Sequence, residues 1–217
     1  MNKQILKVLI GSQAHGTARP DSDYDYRGIF VVPTDDILSF ISTPDQTSWL
    51  EDKIDDVSYE IQKFLFMSSK CNPSILEMYG APIIEQTEEG AELLKLFPYV
   101  WNTKDVLNAF RGYGANQRKK FFDNNEQRAN KYLEAWMRTL WQANYLLSTG
   151  KITCKFRGTE IFDDLMLIRS GNFDRAEQLN KIFELERKLE KTYENTPEKK
   201  TDMDKLNKFL LKIRHIN

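Results

Sequence analysis

The sequence predicts an α+β protein, a small mixed-sheet domain followed by a helical domain. Three observations carry this. Strand-like runs are confined to the first 61 or so residues; the chain becomes helical in pattern from about Asn102; and the two regimes do not alternate as a doubly wound sheet would require. We place the boundary between residues 1–101 and 102–217.

Ile5-Leu6-Lys7-Val8-Leu9-Ile10 is a short apolar run stopped by Gly11 and reads as a buried strand. Gly11 to Ser22 is rich in Gly, Ser, Thr and Pro and reads as a loop. Tyr24 to Val32 is a second strand, closed by Pro33. Asp56-Val57-Ser58-Tyr59-Glu60-Ile61 alternates like a third strand, though the same residues can open a helix. Asn72-Pro73 opens a short helix: Asn caps it, Pro sits at its first position and Glu77 lies close behind. Ala129, Leu133, Trp136, Leu140 and Leu147 line one helix face, with Gly150 at its expected end. Thr159 to Ser170, Asp174 to Glu194 and Asp202 to Ile213 complete the helical half, with Gly171 and Pro197 as breaks. Glu198-Lys199-Lys200 reads as a solvated turn.

Composition limits the function classes. The chain of 217 residues is 41% hydrophobic and 29% charged, an ordinary globular balance. Lys plus Arg number 31 against 32 Asp plus Glu, a net charge of -1. A protein that coats duplex nucleic acid carries a basic excess, so contact with nucleic acid here is expected to be local. No apolar run reaches the ~20 residues of a membrane span, and no membrane contact is expected. Residues 1–5 have one lysine, no long apolar core and no cleavage site, so no signal peptide is expected. Cys71 and Cys154 lie far apart without metal-ligand spacing and read as free thiols in a cytoplasmic protein.

The chemistry concentrates between Gly11 and Gly28. Asp23 and Asp25 stand two apart at the start of a strand, so the pleat points both carboxylates to one face. Side by side they repel unless a cation lies between them. Mg²⁺ takes oxygen ligands, commonly one or two carboxylates plus substrate phosphates. A glycine turn directly after a strand brings backbone N–H groups and the Ser12 hydroxyl close to a phosphate. Adjacent metal and phosphate sites are what nucleotidyl transfer requires.

Gly11-Ser12-Gln13-Ala14-His15-Gly16-Thr17, then Ser22-Asp23-Tyr24-Asp25-Tyr26-Arg27-Gly28 and a Val31-Val32-Pro33 exit, resembles the signature of polymerase-β-like nucleotidyltransferases. The nearer resemblance is to the RNA-repair-pathway DNA-polymerase-β-like group of bacteria and phages. Further segments match that group: Asp56 to Leu65, Cys71 to Glu77, Gly112-Tyr113-Gly114 with Gln117, and Leu146 to Gly150. The resemblance implies a palm-like sheet domain and a transferase that uses Mg²⁺ (or Mn²⁺). It would move a nucleoside monophosphate from a nucleoside triphosphate such as ATP to an acceptor hydroxyl. The group's name points to an RNA or tRNA end; a protein or small-molecule hydroxyl belongs to other branches. A catalytically inactive nucleotide-binding or partner-binding module, or an antitoxin-like protein-modifying enzyme, is the alternative.

Within that resemblance Asp23 and Asp25 are metal ligands, and Gly11 and Ser12 bind the triphosphate. The family needs a third carboxylate on a neighbouring strand. Asp56 is the choice and Glu60 the alternative, since they share a face if this segment is a strand. Arg27 falls on the face of Asp23 and Asp25, to pair with them or to touch phosphate. Gly112 and Gly114 each cost about 1 kcal/mol in a helix interior. They suggest a close approach that would turn Tyr113 and Gln117 toward a bound base, or else tight helix packing. Arg118-Lys119-Lys120 reads as a solvated face, His15 as a solvated loop residue, Arg138 as facing the cleft or water, and Trp101, Trp136 and Trp141 as core. Related sequences often carry a His on the helix matching residues 130–140; here Glu134, Ala135 and Trp136 stand instead.

Overall fold

The computed structural model describes residues 2–40, 42–51, 54–124 and 126–215. Strand β1 (Lys3–Ile10) runs into a short helix α1 (Gly11–His15), then a loop to β2 (Tyr24–Val31) and α2 (Thr34–Leu38). A hairpin pair, β3 (Gln46–Glu51) and β4 (Ile54–Glu60), leads into α3 (Ile61–Ser69) and α4 (Pro73–Leu76). A 3-10 turn (Glu77–Gly80) follows, then β5 (Ile83–Gln86), α5 (Glu88–Leu94) and α6 (Phe97–Val100). The helical half is α7 (Thr103–Asp123), α8 (Glu126–Thr149), α9 (Phe162–Ser170), α10 (Arg175–Asn195) and α11 (Met203–Ile213). The expected α+β class holds.

The five strands form one sheet in the order β3-β4-β2-β1-β5. Its one parallel pair, β2 with β4, makes it mixed; β1 with β2, β1 with β5 and β3 with β4 are antiparallel. The parallel register sets Asp25 opposite Asp55 and Tyr26 opposite Asp56. Because side chains alternate, a one-residue difference decides which face each acid takes.

Local signals end the helices where the sequence places them. The Asn72 side chain accepts from the N–H groups of Ser74 and Ile75, Asp174 from that of Glu177 and Asp202 from that of Lys205. Gly171 closes α9 in the left-handed region at φ 78. The apolar stripe Ala129, Leu133, Trp136, Leu140, Leu147 of α8 is buried throughout. One continuous core runs from Ile5, Leu6, Val8 and Ile29 of the sheet through Phe64 and Leu76 to Phe110, Trp136, Leu189 and Leu206. It therefore crosses the boundary expected at residue 102. The last helix also returns to the sheet half: Arg214 binds Glu60 and the carbonyl of Val32, and its own carbonyl accepts from Thr34. Among the described residues, no helix is long and apolar enough to cross a membrane.

Candidate active site

The site begins where β1 ends. Ile10 lies opposite Asp25 in the sheet register, so the next residue turns away directly beside that carboxylate. This residue is Gly11, at φ 67, and a Cβ there would overlap Asp25 Oδ2. Glycine is thus required twice, by the backbone and by the acid. The turn continues as α1 and closes at Gly16, with the Thr17 N–H bonded to the Ser12 carbonyl at 3.0 Å.

Asp25 and Arg27 fall on one face of β2 by strand parity, and Asp23, just before the strand, lines the same cleft as Asp25 and acts on its charge. Asp55 joins Asp25 and Arg27 on that face through its register with Asp25, and Arg27 Nη2 donates to Asp55 Oδ2 at 3.1 Å. Asp25 is half-buried. Burial pushes its carboxyl above the usual range; the Arg27 guanidinium pulls it down, and the neighbouring Asp55 and Asp23 charges push it up again.

Asp56 does not reach this face. It lies opposite Tyr26 and pairs with Lys7 Nζ at 2.6 Å, while Lys7 sits 4.9 Å over the Tyr26 ring. Glu60 does not reach it either: it is buried, caps α3 through the Gln62 N–H at 2.7 Å and pairs with Arg214. The reason is register. β4 starts at Ile54, two residues before the run read from the sequence, and parallel pairing to β2 selects the odd-numbered acid. Among the described residues, no three His, Cys, Asp or Glu groups stand close enough together to form a metal cage. The fit to Mg²⁺ is one of donor chemistry. Asp23, Asp25 and Asp55 offer hard oxygens only, and their mutual repulsion, felt in the raised Asp25 carboxyl, is what a divalent cation relieves.

Two buried networks fasten the motif to the helical half. In the first, Glu77 Oε1 meets His15 Nε2 at 2.7 Å, Arg138 Nη1 at 2.9 Å and Gln142 Nε2 at 3.2 Å. Burial pushes the Glu77 carboxyl up, but Arg138 and His15 outweigh it and hold the group down at about 2. Burial, helped by the Arg138 charge, lowers His15 below its usual 6.5. His15 is therefore neutral at pH 7 and donates its Nε2–H to Glu77. Its expected place as a solvated loop residue is corrected: it is 4% exposed. In the second network Glu134 accepts from Thr17 Oγ1 at 2.9 Å and from Arg169 Nη1 at 3.0 Å, while Arg169 Nη2 donates to Ser22 Oγ at 3.1 Å. Glu134 lies on the helical stretch, residues 130–140, on which a His is expected in related sequences. The sequence does not single out Glu77 or Arg169 for the site, and it leaves Arg138 between the cleft and water. The Asn-Pro-x-x-Leu-Glu match, which ends on Glu77, was the available signal.

These elements enclose a cleft of about 400 Å³. Gly11, Ser12, Arg19, Asp23 and Asp25 line it from the turn, loop and start of β2; Lys131, Glu134 and Arg138 line it from α8 and Arg169 from α9. Larger cavities of about 490 and 740 Å³ lie elsewhere and are lined by none of Asp23, Asp25 and Asp55. Tyr113 and Gln117 are not among the residues that line the cleft. Gln117 is buried, and Gly114 lets α7 pack on Trp136, whose Cδ1 would lie 3.2 Å from an added Cβ. Gly114 thus serves tight helix packing, while Tyr113 is half-buried and lies within electrostatic reach of Arg138. Arg27 is likewise held at Asp55 and does not line the cleft. Arg118 lies 5.7 Å from the Trp136 and Phe183 rings, Trp101, Trp136 and Trp141 are core, and Arg138 faces the cleft with its charge met by Glu77.

A phage T4 protein described as an uncharacterized 38.9 kDa protein in the nrdC-mobD intergenic region is 31% identical over 88 residues. The match covers 37% of this chain and 26% of that protein. The crystal structure of a nucleotidyltransferase-like protein from Exiguobacterium sibiricum 255-15 aligns at 9% identity and a TM-score of 0.31, over 97% of this chain and 73% of that one. The model of the RNA repair pathway DNA polymerase beta family matches residues 2–212, and the chain belongs to that family.

Proposed function

We propose that the protein is a divalent-metal-dependent nucleotidyltransferase that moves a nucleoside monophosphate from a nucleoside triphosphate to an acceptor hydroxyl. The observation that carries this is that Asp23 and Asp25 line the cleft beside the Gly11-Ser12 turn, with Asp55 next to Asp25 across the β2–β4 register. In this reading Asp55, not Asp56, is the third carboxylate. Asp23, Asp25 and Asp55 would hold Mg²⁺ or Mn²⁺, which when bound polarises the α-phosphate and lowers the pKa of the acceptor hydroxyl. Ser12 and the backbone of the turn orient the phosphates; Arg27 restrains Asp55; Glu77 and Glu134 hold the turn and the loop before Asp23 in place. The family's description as an RNA repair pathway favours an RNA or tRNA 3′ end as acceptor. We assign residues 1–101 to catalysis and 102–217 to closing the cleft. Buried free thiols at Cys71 and Cys154 suit the reducing cytoplasm.

The test is incubation with each labelled nucleoside triphosphate, Mg²⁺ or Mn²⁺, and acceptors including bulk tRNA. Label transfer should fall at least about a hundredfold in Asp23→Ala, Asp25→Ala and Asp55→Ala, and persist in Asp56→Ala. Transfer that survives the joint loss of Asp23 and Asp25 would overturn the site. Loss in Asp56→Ala with retention in Asp55→Ala would return the third carboxylate to Asp56. Magnesium-dependent nucleotide binding without transfer to any acceptor would favour a binding module.

A further inference from the structure

The cleft holds charges of both signs. The carboxylates stand at the start of β2, and the cations Lys131, Arg138 and Arg169 come from α8 and α9. Arg138 already donates to Glu77 Oε1, on which His15 and Gln142 also converge. Arg169 is different. A guanidinium carries five N–H donors. Arg169 gives Nη1 to Glu134 and Nη2 to Ser22 Oγ, each through a single bond, which leaves one N–H on each Nη free, and its Nε is buried without a partner among the described residues. Its side chain is 15% exposed, so it is largely desolvated while still lining the cleft. A desolvated cation held by one carboxylate oxygen, with donors to spare, is built to take a further anion. Its bond to Ser22 also ties it to the residue immediately before Asp23.

We propose that Arg169 recognises the β- and γ-phosphates of the nucleotide, and that Glu134 holds it poised and competes with the phosphates for its charge. This rests on the nucleotidyl-transfer reading and deepens it. The phosphate tail then points toward α8 and α9, which leaves the β3–β4 side of Asp25 for the acceptor. Glu134 is a positioning residue: it also fixes Thr17, so it sets both ends of the Thr17–Ser22 loop around Arg169.

The two residues should act with opposite sign, which a structural role would not produce. The probe is inorganic tripolyphosphate, with a nucleoside triphosphate and the matching monophosphate, titrated calorimetrically in Ca²⁺ without acceptor. Arg169→Met should weaken tripolyphosphate and triphosphate about tenfold or more and leave the monophosphate within about twofold; Arg169→Lys should recover part of the loss. Glu134→Gln keeps an acceptor for Thr17 and removes the competing charge, so tripolyphosphate should bind several-fold tighter. Melting temperatures of each variant show that it is folded. Equal loss for the monophosphate, weaker binding in Glu134→Gln, or an unchanged triphosphate affinity in folded Arg169→Met each overturns the assignment of Arg169 while wild-type binding leaves the transferase reading standing. A wild-type protein that binds neither tripolyphosphate nor triphosphate overturns both.

Discussion

At the scale of the residue, Glu77 decides much with one oxygen. It is nearly inaccessible, yet three donors from α1 and α8 converge on Oε1, so the ionised form is the stable one. Its carboxyl titrates at about 2 in the fold against 4.5 as the ordinary value, because the Arg138 and His15 contacts outweigh burial. A depressed folded value gives stability that is complete above 4.5 and drains away as the pH falls toward 2. His15 shifts in the same sense. Its lowered folded value gives stability that is complete above 6.5 and begins to drain below it. Thermal melts taken from pH 7.5 down to pH 3 should therefore show two successive losses, about 2 kcal/mol of them belonging to Glu77. Glu77→Gln should lower stability at neutral pH by about 3–5 kcal/mol, since Arg138 loses its counter-charge, and should flatten the acid limb below pH 4.5. Parallel curves for wild type and variant below pH 4.5 would refute the attribution. None of this was legible in the sequence, where His15 reads as a loop residue and Glu77 as a helix-dipole acid. Burial and long-range partners, not neighbours in the chain, set both groups.

Elements carry a different kind of information. In α7 the two glycines look alike in sequence and differ in the fold. Nothing lies within 4 Å of a Cβ added to Gly112, whereas one on Gly114 meets the fully buried Trp136. Gly112→Ala should stabilise by about 1 kcal/mol through helix propensity. Gly114→Ala should destabilise by about 1–3 kcal/mol, because Trp136 has no room to yield. Urea midpoints at constant slope measure both, and a shift of the same sign in the two variants would sink the distinction. Helices were the legible elements: caps at Asn72, Asp174 and Asp202 and the stop at Gly171 all stand where local chemistry puts them. Strands were less so. β3 has all six residues exposed and shows little of the alternating burial by which a strand declares itself, and β5 is only four residues long. The loop expected after β1 holds a helical turn, α1, too short for any periodic signal.

On the scale of the whole molecule, Arg214 joins the end of the described chain to its beginning. Its guanidinium is 6% exposed and donates to Glu60 and to the Val32 carbonyl. Arg214→Met should cost roughly 3–5 kcal/mol, because Glu60 would remain buried without a counter-charge. Adding Glu60→Gln should recover part of that loss. Denaturant unfolding of the single and double variants checks this, and an additive double variant would show that the pair is not coupled. The continuous core across residues 101 and 102 leads us to expect a single cooperative transition.

The sequence by itself determined the family, the α+β class and the helix ends, and it named Asp23 and Asp25 as the acids of the motif, because each depends on neighbours a few residues apart. The tertiary structure alone decided which acid stands beside them. Asp55 and Asp56 are equivalent in sequence, and only the parallel register of β4 on β2 turns Asp55 toward Asp25 and sends Asp56 to Lys7. It also decided the cations of the cleft, since Arg138 and Arg169 meet the motif only when α8 and α9 fold across it.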